Sequence, residues 1–471
     1  MKADLAELKQ QYGDLQRLVF GSKSERFIPI NNDQLGLFDL ESEVVGIEPS
    51  AQTISYQKQV KPKGKKHPVR ALLPAHLPRT EEVIEPEGLE EGMKKIGEEV
   101  TEILEHVPAK LYVRRIVRPK YVKPKQDKII VGQLPSLPIP KGNAGPGLLA
   151  HIQVSKWVDH LPFYRQVQIY KREGIKLAES TINGWFNATC SLLEPLYDRL
   201  AEQVQQQDYL QADESPIRVQ DSHKQGTTHI GYHWVYHAPG KKLAVFDYQP
   251  SRSQKGPHDF LKSFQGHLQT DGYAAYNELG KRPGVTLLAC MAHARRYFEK
   301  ALDNDRQLAE HALEVVQCLY AIERTASDDQ ISDTDRKLAR QEKAQPILKK
   351  WKQWLDTQQD KVAPKSTIGK AINYTLGLWP RLVGYTENGH YRIDNNLIEN
   401  AIRPLALGRK NYLFAGSHPA AQRAAMMYSF FATCKLNEVE PYQWLKTTLE
   451  QIPDAKVNDL DRFLPQNWQA P

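Results

Sequence analysis

Three acidic segments constrain the fold and chemistry of this 471-residue chain more than any other feature. Asp213 and Asp271 each end a short apolar or β-prone run, in Leu210-Gln-Ala-Asp213 and Leu268-Gln-Thr-Asp271. Glu399 lies about one turn into a predicted helix that has Asp and Asn at its start. Carboxylates from two strand ends and one helix face can converge on two divalent cations, which activate an attacking oxygen and stabilise the leaving oxygen of a phosphodiester. The pattern therefore indicates chemistry on nucleic-acid strands.

Each of these acids has a simpler explanation when it is taken alone. A single Asp after a strand more often caps a turn or a helix than takes part in catalysis. Glu214 directly follows Asp213, but successive residues of a strand point to opposite faces, so we rank Glu214 below the other three acids. The functional interpretation depends on the ordered set of three.

Composition sets the broad class of protein. Charged residues make up 25% of the chain and hydrophobic residues 40%, which is typical of a globular protein. The formal net charge of +7 fits a polyanionic partner without proving one. No two of the four cysteines have Cys-x-x-Cys spacing, which favours a reducing compartment over disulfides or a thiolate zinc site. No apolar run resembles a signal peptide or a membrane span, so we expect a cytoplasmic protein without membrane contact.

The pattern along the chain predicts six regions of a mixed α/β protein. They are an N-terminal helix or coiled-coil remnant at 1–27, a basic linker at 28–79, a small module of strands and turns at 80–132, a helical region at 145–206, a catalytic core at 207–436 and a C-terminal tail subdomain at 437–471. The first helix has a heptad-like apolar seam that either packs on its own domain or pairs two subunits. The lysines of the linker either lie along phosphates or are solvated.

Residues 163–187 have the pattern of a helix-turn-helix. Phe163–Arg172 and the segment from Ser180 onwards are helical in character, and Gly174 lies in the turn between them. Ser180 is the predicted cap of the second helix. Such pairs contact DNA in some proteins and are plain scaffolds in others, so both interpretations stay open.

The segment after Gln207 changes to a β pattern. Predicted strands lead to Asp213 and cover 229–237, 243–248, 266–270 and 285–289, with a short helix at 260–264. A charged helical insertion from 292 to about 370 separates Asp271 from Glu399. A further helix is predicted at 442–452.

Five ordered segments are more specific together than any one of them. They are Ala212-Asp-Glu-Ser-Pro-Ile217, Gln269-Thr-Asp-Gly-Tyr-Ala-Ala-Tyr276, Cys290-Met-Ala-His-Ala-Arg-Arg296, Asn395-Asn-Leu-Ile-Glu-Asn-Ala-Ile-Arg-Pro404 and Gly408-Arg-Lys-Asn-Tyr-Leu-Phe-Ala-Gly-Ser417. In this order they resemble the DDE transposases of the insertion sequence 66 family, and the similarity extends nearly from end to end.

The resemblance implies a ribonuclease H-like catalytic core with a large helical insertion. It also implies that Asp213, Asp271 and Glu399 are the catalytic residues and the ligands of two Mg²⁺ (or Mn²⁺) ions. Water would cut the phosphodiester at an element end, and the freed 3′-hydroxyl would then attack target DNA. The expected partners are element-end and target DNA, a second subunit in a homodimer or higher synaptic complex, and small accessory transposition proteins. The expected location is the bacterial cytoplasm, in association with the nucleoid.

The module at 80–132 departs from the family pattern. Relatives commonly carry two Cys-x-x-Cys knuckles here, whereas this chain has Glu85-Pro-Glu-Gly-Leu89 and Lys123-Pro-Lys-Gln126 at those places. Because thiolates supply most of the affinity for structural zinc, we expect a degenerate zinc-finger-like module without structural zinc. Its basic residues, including Arg114, Arg115 and Arg118, stay candidates for DNA binding.

Basic residues also follow Glu399. Arg403, Arg409 and Lys410 are candidates for phosphate contacts, and they are followed by Asn411-Tyr-Leu-Phe414. Aromatic side chains among basic ones can stack on unpaired bases, but they can equally belong to the core, Phe414 above all. Two rival functions stay open: a ribonuclease H-like nuclease without strand transfer, and a domesticated DNA-binding protein.

Overall fold

The structure, a computed structural model, describes residues 73, 75, 77–88, 93–107, 110–123, 126–220 and 227–470. The predicted coiled-coil remnant at 1–27 and nearly all of the basic linker lie outside these residues. The described residues form two compact units. One contains 291–379, and the other contains 73–290 together with 380–470.

The unit of 73–290 and 380–470 contains both sheets. Its strands are β1 (Arg79–Val83), β2 (Lys94–Val107), β3 (Lys110–Lys123), β4 (Gln126–Val131), β5 (Tyr209–Gln220), β6 (Thr228–Ala238), β7 (Leu243–Gln249), β8 (Gly266–Thr270) and β9 (Val285–Ala289). Its first helices are α1 (Pro146–Trp157), α2 (Phe163–Arg172), α3 (Glu179–Gln205) and α4 (Lys255–Phe260). The helices of 291–379 are α5 (Met291–Ala301), α6 (Arg306–Asp328), α7 (Asp333–Ala339), α8 (Gln345–Gln359) and α9 (Thr367–Gly377). After them come α10 (Trp379–Val383), α11 (Asn396–Tyr412), α12 (His418–Leu436) and α13 (Pro441–Gln451).

Strands β1 to β4 form a small sheet with β3 at its centre. β2 and β4 are antiparallel to β3, and β1 is parallel to it. Because side chains alternate along a strand, the two faces of this sheet have different partners. Ile103 and Ile116 pack with Leu137 in a local apolar cluster, whereas Leu104 and Val113 belong to the main core of the unit. The small sheet is therefore held to the rest of its unit by apolar packing.

Strands β5 to β9 form the main sheet, in the order β7-β6-β5-β8-β9. β5, β6 and β7 follow one another as antiparallel neighbours, and β8 and β9 are parallel to β5. The predicted strands at 266–270 and 285–289 are confirmed. The strand predicted at 229–237 is one residue longer at each end, and the one predicted at 243–248 is one residue longer at its C-terminal end. The predicted helix at 260–264 is wrong, because α4 ends at Phe260 and Leu261–Phe264 is a turn.

The edge strand β7 is covered by helix α12. The N–H groups of Ala244 and Phe246 face away from β6 and donate hydrogen bonds to Thr433 Oγ1 (3.2 Å) and Ser429 Oγ (2.8 Å). Free N–H groups on an edge strand can pair with a strand of another chain. Here the hydroxyls of α12 already accept hydrogen bonds from these two N–H groups, so they are not available for such pairing. On the opposite face of the sheet, Phe260 of α4 stacks on Tyr236 with the ring centroids 4.0 Å apart. The main sheet therefore has helices on both faces.

His233 of β6 is completely buried on the face covered by α11 and α12. Neither of its ring nitrogens has a hydrogen-bond partner among the described residues. Burial, together with the charge of Arg409, lowers the pKa of His233 to about 3. The folded protein therefore holds this imidazole neutral at every pH at which an unfolded histidine would take up a proton.

This burial predicts a loss of stability in mild acid. Between the ordinary histidine pKa of about 6.5 and the folded value, the unfolded state binds more protons, so the free energy of unfolding falls by about 1.4 kcal/mol per pH unit as the pH drops below 6.5. His233→Leu has no group that titrates here, so its free energy of unfolding should not show this fall. The difference in the free energy of unfolding between His233→Leu and wild type, measured by urea unfolding, should therefore shift in favour of the variant by about 2.7 kcal/mol between pH 7.5 and pH 4.5. Val235→Ala, on the same face of the same strand, is the control: its free energy of unfolding should differ from that of wild type by an amount that does not depend on pH. If the difference for His233→Leu were also independent of pH, the prediction would be contradicted.

The described elements of the unit of residues 291–379 are all helices, and its range covers the segment predicted as a helical insertion from 292 to about 370. Helix α6 buries Ala312, Val316, Leu319 and Glu323 along one face. Glu323 accepts two hydrogen bonds from the guanidinium of the fully buried Arg340, both 2.7 Å long. Arg340 lies in a π-helical turn, Arg340–Ala344, that connects α7 to α8. A bidentate ion pair thus replaces apolar packing at this point of the helical unit.

Candidate active site

The two predicted catalytic aspartates lie at the same end of two neighbouring parallel strands. β5 and β8 pair in parallel, and the last pair of this ladder is Gln211 opposite Gln269. Asp213 and Asp271 each lie two residues beyond that pair, Asp213 still within β5 and Asp271 directly after β8. Because the two strands run in the same direction, both aspartates lie at the same edge of this strand pair, and the charge of Asp271 acts on Asp213.

The prediction that Asp213 ends its strand is wrong. β5 continues to Gln220 and stays paired with β6 along this whole length. The polar residues after Asp213 can remain in the sheet because Ser215 is buried against the helices and Glu214 has a cationic partner on the other face. Asp271, in contrast, directly follows β8, as predicted.

The third carboxylate, Glu399, lies in the first turn of α11, which packs on β5 and β6. Asp213 and Glu399 are both buried. Burial, and after it the charges of Glu214, Asp271 and Glu399, raises the pKa of Asp213 well above its usual range. The opposing contribution is a hydrogen bond from the Glu214 N–H to Asp213 Oδ1 (2.8 Å). The structure therefore brings the three predicted acids into one electrostatic neighbourhood.

These carboxylates do not yet form a closed ligand set. Among the described residues, no three acidic, histidine or cysteine side chains are positioned to hold a metal ion together. Asp271 Oδ1 accepts a hydrogen bond from the Tyr273 N–H (2.8 Å), which holds this carboxylate against its own loop. The donor set itself, which is all oxygen and partly buried, fits Mg²⁺ or Mn²⁺, since buried anions are stable only when paired or coordinated.

Glu214 points to the opposite face of β5 from Asp213, as predicted, and has its own partners there. The guanidinium of Arg252 donates two hydrogen bonds to Glu214 Oε1, one of them 2.7 Å long. Arg252 also lies over the ring of Tyr273, 4.0 Å from its centroid. Burial, and then the charge of Asp271, raises the pKa of Glu214, whereas Arg252 lowers it. No motif in the sequence connects Arg252 with the acids, so only the structure reveals this ion pair.

Two buried glutamines connect the aspartate strands to the segment before α11. Gln211 donates to the Asp394 carbonyl (2.8 Å), and Gln269 donates to the Arg392 carbonyl (2.8 Å). Gln211 also donates to Gln269 Oε1 (3.1 Å), so the two amides form one network. Each glutamine lies two residues before an aspartate, and the network therefore sets the start of the Glu399 helix relative to both aspartates. The repeated Leu-Gln-x-Asp pattern was the signal in the sequence that could have revealed it.

Gln269→Leu is expected to destabilise this unit by about 1–3 kcal/mol, because buried partners lose their hydrogen bonds. The affected groups are the Arg392 and Ala289 carbonyls and the Tyr209 hydroxyl, which donates to Gln269 Oε1. The measurement is urea unfolding at pH 7.5. Gln220→Leu, an exposed glutamine at the end of β5, should change stability by less than about 0.5 kcal/mol. Equal effects of the two variants would contradict a structural role for the amide network.

The predicted DNA-binding residues of α11 differ in exposure. Lys410 is exposed in the last turn, and Arg403 is partly exposed one turn beyond Glu399. Arg409 donates a hydrogen bond from Nη1 to the Pro216 carbonyl of β5, and burial lowers its pKa. Arg409 therefore ties α11 to the aspartate strand, in addition to any contact with DNA.

The predicted DNA-binding residues of the small sheet include two in ion pairs within the sheet. Arg115 lies 3.1 Å from Glu81, and Arg118 lies 2.9 Å from Glu99. Arg114 is adjacent on β3 and near the buried Glu105. Cross-strand pairs of opposite charge stabilise a sheet, so these arginines have a structural role whether or not they contact phosphate.

The helix-turn-helix candidate corresponds to α2, a turn at Gly174 and α3. Gly174 has a φ of 82°, a conformation that favours glycine. The predicted cap at Ser180 is wrong, because α3 begins at Glu179 and its N-cap residue is Ala178. Ser180 and Asn187 are exposed at the start of this 27-residue helix. DNA contact through Ser180–Asn187 stays a prediction.

Comparison with known proteins decides the family. A family model described as "Transposase IS66 family" matches residues 141–423, and one described as "IS66 C-terminal element" matches residues 429–466. The chain belongs to the transposase IS66 family. Two more models match the N-terminal part: "Transposase C of IS166 homeodomain" at 7–81, and "zinc-finger binding domain of transposase IS66" at 86–122.

Full-length relatives agree with this membership. The proteins y4jD and y4qI of Sinorhizobium fredii, both described as uncharacterized, are each 32% identical to this chain. The matches cover 98% of this chain and 95% of y4jD, and 97% of this chain and 87% of y4qI. The resemblance inferred from the five motifs is confirmed. Among the helices that the structure describes, none combines the length and apolar character that a membrane crossing requires.

The residues of this family member do not fit the thiolate zinc site that the match at 86–122 implies. The first cysteine of the chain is Cys190, and the matched segment contains one histidine, His106. The ring of His106 stacks on that of His151 with the centroids 3.9 Å apart. Structural zinc sites need four ligands, mostly cysteine or histidine. The apolar cluster of Ile103, Ile116 and Leu137 offers another source of stability, and folding without zinc stays a prediction.

Proposed function

We propose that this transposase cleaves DNA at the ends of its element and joins the freed ends to target DNA, with Asp213, Asp271 and Glu399 as its catalytic and metal-binding residues. The observation that carries the proposal is the placement of Asp213 on β5 and of Asp271 directly after the parallel strand β8, with the charges of Asp271 and Glu399 both acting on Asp213. Buried carboxylates that repel one another are costly unless a cation balances them. A site for divalent cations gives this arrangement a physical reason.

The topology of the main sheet supports a ribonuclease H-like core. Three antiparallel strands, β5 to β7, are followed by a helix and by two strands parallel to β5. The first aspartate lies on the central strand and the second follows its parallel neighbour. In this proposal the helical unit of 291–379 is an insertion between the second aspartate and the glutamate.

Each residue has a distinct part in the proposed reaction. Asp213, Asp271 and Glu399 would hold two Mg²⁺ or Mn²⁺ ions, which would activate the attacking oxygen and stabilise the leaving oxygen of the phosphodiester. Arg403 and Lys410 would contact phosphates further along α11 from Glu399. Arg252 would keep Glu214 paired, so that this fourth acid does not compete for the cations.

The partners follow from the reaction. Joining one element end to target DNA requires both DNAs at one active site, and joining two ends requires two active sites. We therefore propose element-end DNA, target DNA and a homodimer or higher synaptic complex as the working assembly. The basic arginines of the small sheet and the exposed start of α3 are the proposed contacts for the element end.

The test uses a duplex that ends at the element terminus, with a recessed or pre-cut 3′-hydroxyl, and a supercoiled target. Wild type should join the pre-cut end in the presence of Mg²⁺ or Mn²⁺, whereas a nuclease would only cut. Glu399→Gln should abolish both cutting and joining while DNA binding, measured by fluorescence anisotropy, stays within about threefold. Glu450→Gln, an exposed acid of α13, is the matched control. Mn²⁺ binding measured by calorimetry gives a readout independent of activity.

Near wild-type joining by Glu399→Gln would overturn the assignment of this residue and make Glu214 the next candidate. Cutting without any joining by wild type would favour the nuclease. Specific DNA binding without either reaction, and without Mn²⁺ binding, would favour a domesticated DNA-binding protein.

A further inference from the structure

The turn between α11 and α12 exposes two large apolar side chains. Leu413 is 65% exposed and Phe414 is 45% exposed. The interpretation of Phe414 as a core residue is therefore wrong. Exposed apolar side chains are common one at a time, but two adjacent ones at the tip of a turn beside exposed basic residues are a candidate contact surface.

The conformation of this turn is strained and firmly held. Leu413 has φ 61° and ψ −45°, and the Phe414 N–H donates to the Tyr412 carbonyl (2.7 Å). This is a γ-turn with a positive φ, which a leucine rarely adopts. Strain of this kind persists only where the surrounding structure imposes it, and it is concentrated at functional sites.

The surrounding structure does impose it here. On one side, the Leu413 N–H donates to the Arg409 carbonyl (3.0 Å), which ends α11. On the other side, the Ala415 N–H donates to the Arg218 carbonyl, and the Ala415 carbonyl accepts from the Gln220 N–H, both at 2.8 Å. The turn is thus fastened to the end of the catalytic strand β5, and its two apolar side chains are presented outward.

The charge around the turn indicates which kind of molecule binds there. Lys410 and Arg218 are exposed next to the turn, and no acidic residue occurs in the sequence from Asn400 to Asn437. DNA offers phosphates for the basic side chains and base faces for the apolar ones, and proteins that kink DNA insert such side chains between base steps. A second protein surface would need to supply acidic groups as well as an apolar pocket.

The distance between the turn and the three acids indicates where on bound DNA the turn would lie, relative to the reacting phosphate. Leu413 is 14 residues beyond Glu399 on the same helix, which corresponds to about 21 Å at 1.5 Å per residue. Arg218 and Gln220, which hold the turn, are five and seven residues beyond Asp213 on β5, or about 17–23 Å. At about 3.4 Å per base pair, both routes place the turn roughly six base pairs from the acids.

We propose that Leu413 and Phe414 form a wedge that inserts between bases about six base pairs from the reacting phosphate, while Lys410 and Arg218 contact the backbone on either side. The proposal rests on the proposed function, since it requires DNA at the three acids. It adds a DNA-distorting element to the active-site strand and helix. The wedge would bend or open the duplex, so that the phosphate at the active site becomes accessible to in-line attack.

The test places 2-aminopurine, whose fluorescence rises on unstacking, singly at each of the first twelve positions from a pre-cut 3′ end. Full-length wild type should give a maximum near the sixth position. Phe414→Ala should reduce that maximum by about fivefold or more, the loss expected for one stacked aromatic, and Phe414→Trp should retain it. Leu413→Gly removes the side chain and permits the positive φ, so it should lose signal while its melting temperature stays at or above that of wild type. Val457→Ala, another highly exposed apolar residue, is the control and should match wild type.

Several results would overturn the wedge. One is an unchanged maximum in Phe414→Ala at saturating protein. Another is a change in the oligomeric state of DNA-free Phe414→Ala in sedimentation, which would assign the two side chains to contact with a second copy. The same fluorescence scan on Asp213→Asn separates this proposal from the proposed function. A fluorescence maximum in Asp213→Asn without DNA cutting supports the wedge alone. DNA cutting by wild type without any unstacking supports the proposed chemistry and excludes the wedge. Absence of DNA binding by wild type would exclude both.

Discussion

Asp213→Asn is expected to abolish DNA cutting and joining and, at the same time, to stabilise the metal-free protein. Burial raises the pKa of Asp213 most, and the charges of three neighbouring carboxylates raise it further. Replacing a buried repelling charge with a neutral isostere is expected to raise the free energy of unfolding by about 1–4 kcal/mol. The same change removes a proposed cation ligand. A loss of about 4 kcal/mol of transition-state stabilisation corresponds to roughly a thousandfold loss of rate.

The decisive measurement is thermal unfolding with and without Mn²⁺. Wild type should gain stability with cation, by about 2.7 kcal/mol at a hundred times the dissociation constant, and Asp213→Asn should gain little. Asp247→Asn is the matched control, because Asp247 is also a largely buried aspartate of the same sheet, and burial raises its pKa to about 6. This control should keep both cation stabilisation and DNA joining. Cutting activity in Asp213→Asn, or an undiminished cation effect, would contradict the assignment of Asp213.

The second large effect is expected in the helical unit, from Arg340→Ala. Arg340 is fully buried and donates two hydrogen bonds to Glu323, and Arg336 lies 3.6 Å from the same carboxylate. Removing Arg340 leaves the Glu323 carboxylate with only the longer ion pair to Arg336. Breaking a buried ion pair costs about 3–5 kcal/mol, and we expect a loss near the lower end of this range. Hydrogen exchange on the full chain should show this loss in residues 291–379, because local stability can be followed separately for each unit.

Two variants test the electrostatic cause of this effect. Arg306→Ala removes an exposed ion pair with Glu310 in the same unit and should cost less than about 0.5 kcal/mol. Combining Arg340→Met, Arg336→Met and Glu323→Leu removes all three charges of this cluster and should recover most of the stability lost in Arg340→Ala. If this triple variant were as unstable as Arg340→Ala, packing volume rather than the unpaired charge would be the cause.

The sequence predicted those parts of the fold that depend on local patterns. Strands β8 and β9 were predicted with their observed bounds, and helix α13 within one residue, because alternating or helical runs of apolar residues report burial directly. The wrong prediction about Asp213 concerns a place where a polar residue acquires a distant partner, because β5 continues past Asp213 where Arg252 pairs with Glu214. The wrong cap at Ser180 and the wrong helix at 260–264 concern the ends of helices instead, which local patterns define less sharply.

The sequence by itself determined the family, the identity and order of the three acids, and the absence of thiolates from the small module. All of these can be read directly from which residues the chain contains and in which order. Only the tertiary structure decided that Asp213 and Asp271 lie at the same edge of two paired parallel strands, that two glutamines connect these strands to the start of the Glu399 helix, and that Phe414 is exposed. These features depend on residues far apart in the chain. Hydrogen bonds and charge pairs across such separations form only after the chain has closed its long loops, so a local pattern such as Leu-Gln-x-Asp can mark a residue but does not specify its partner.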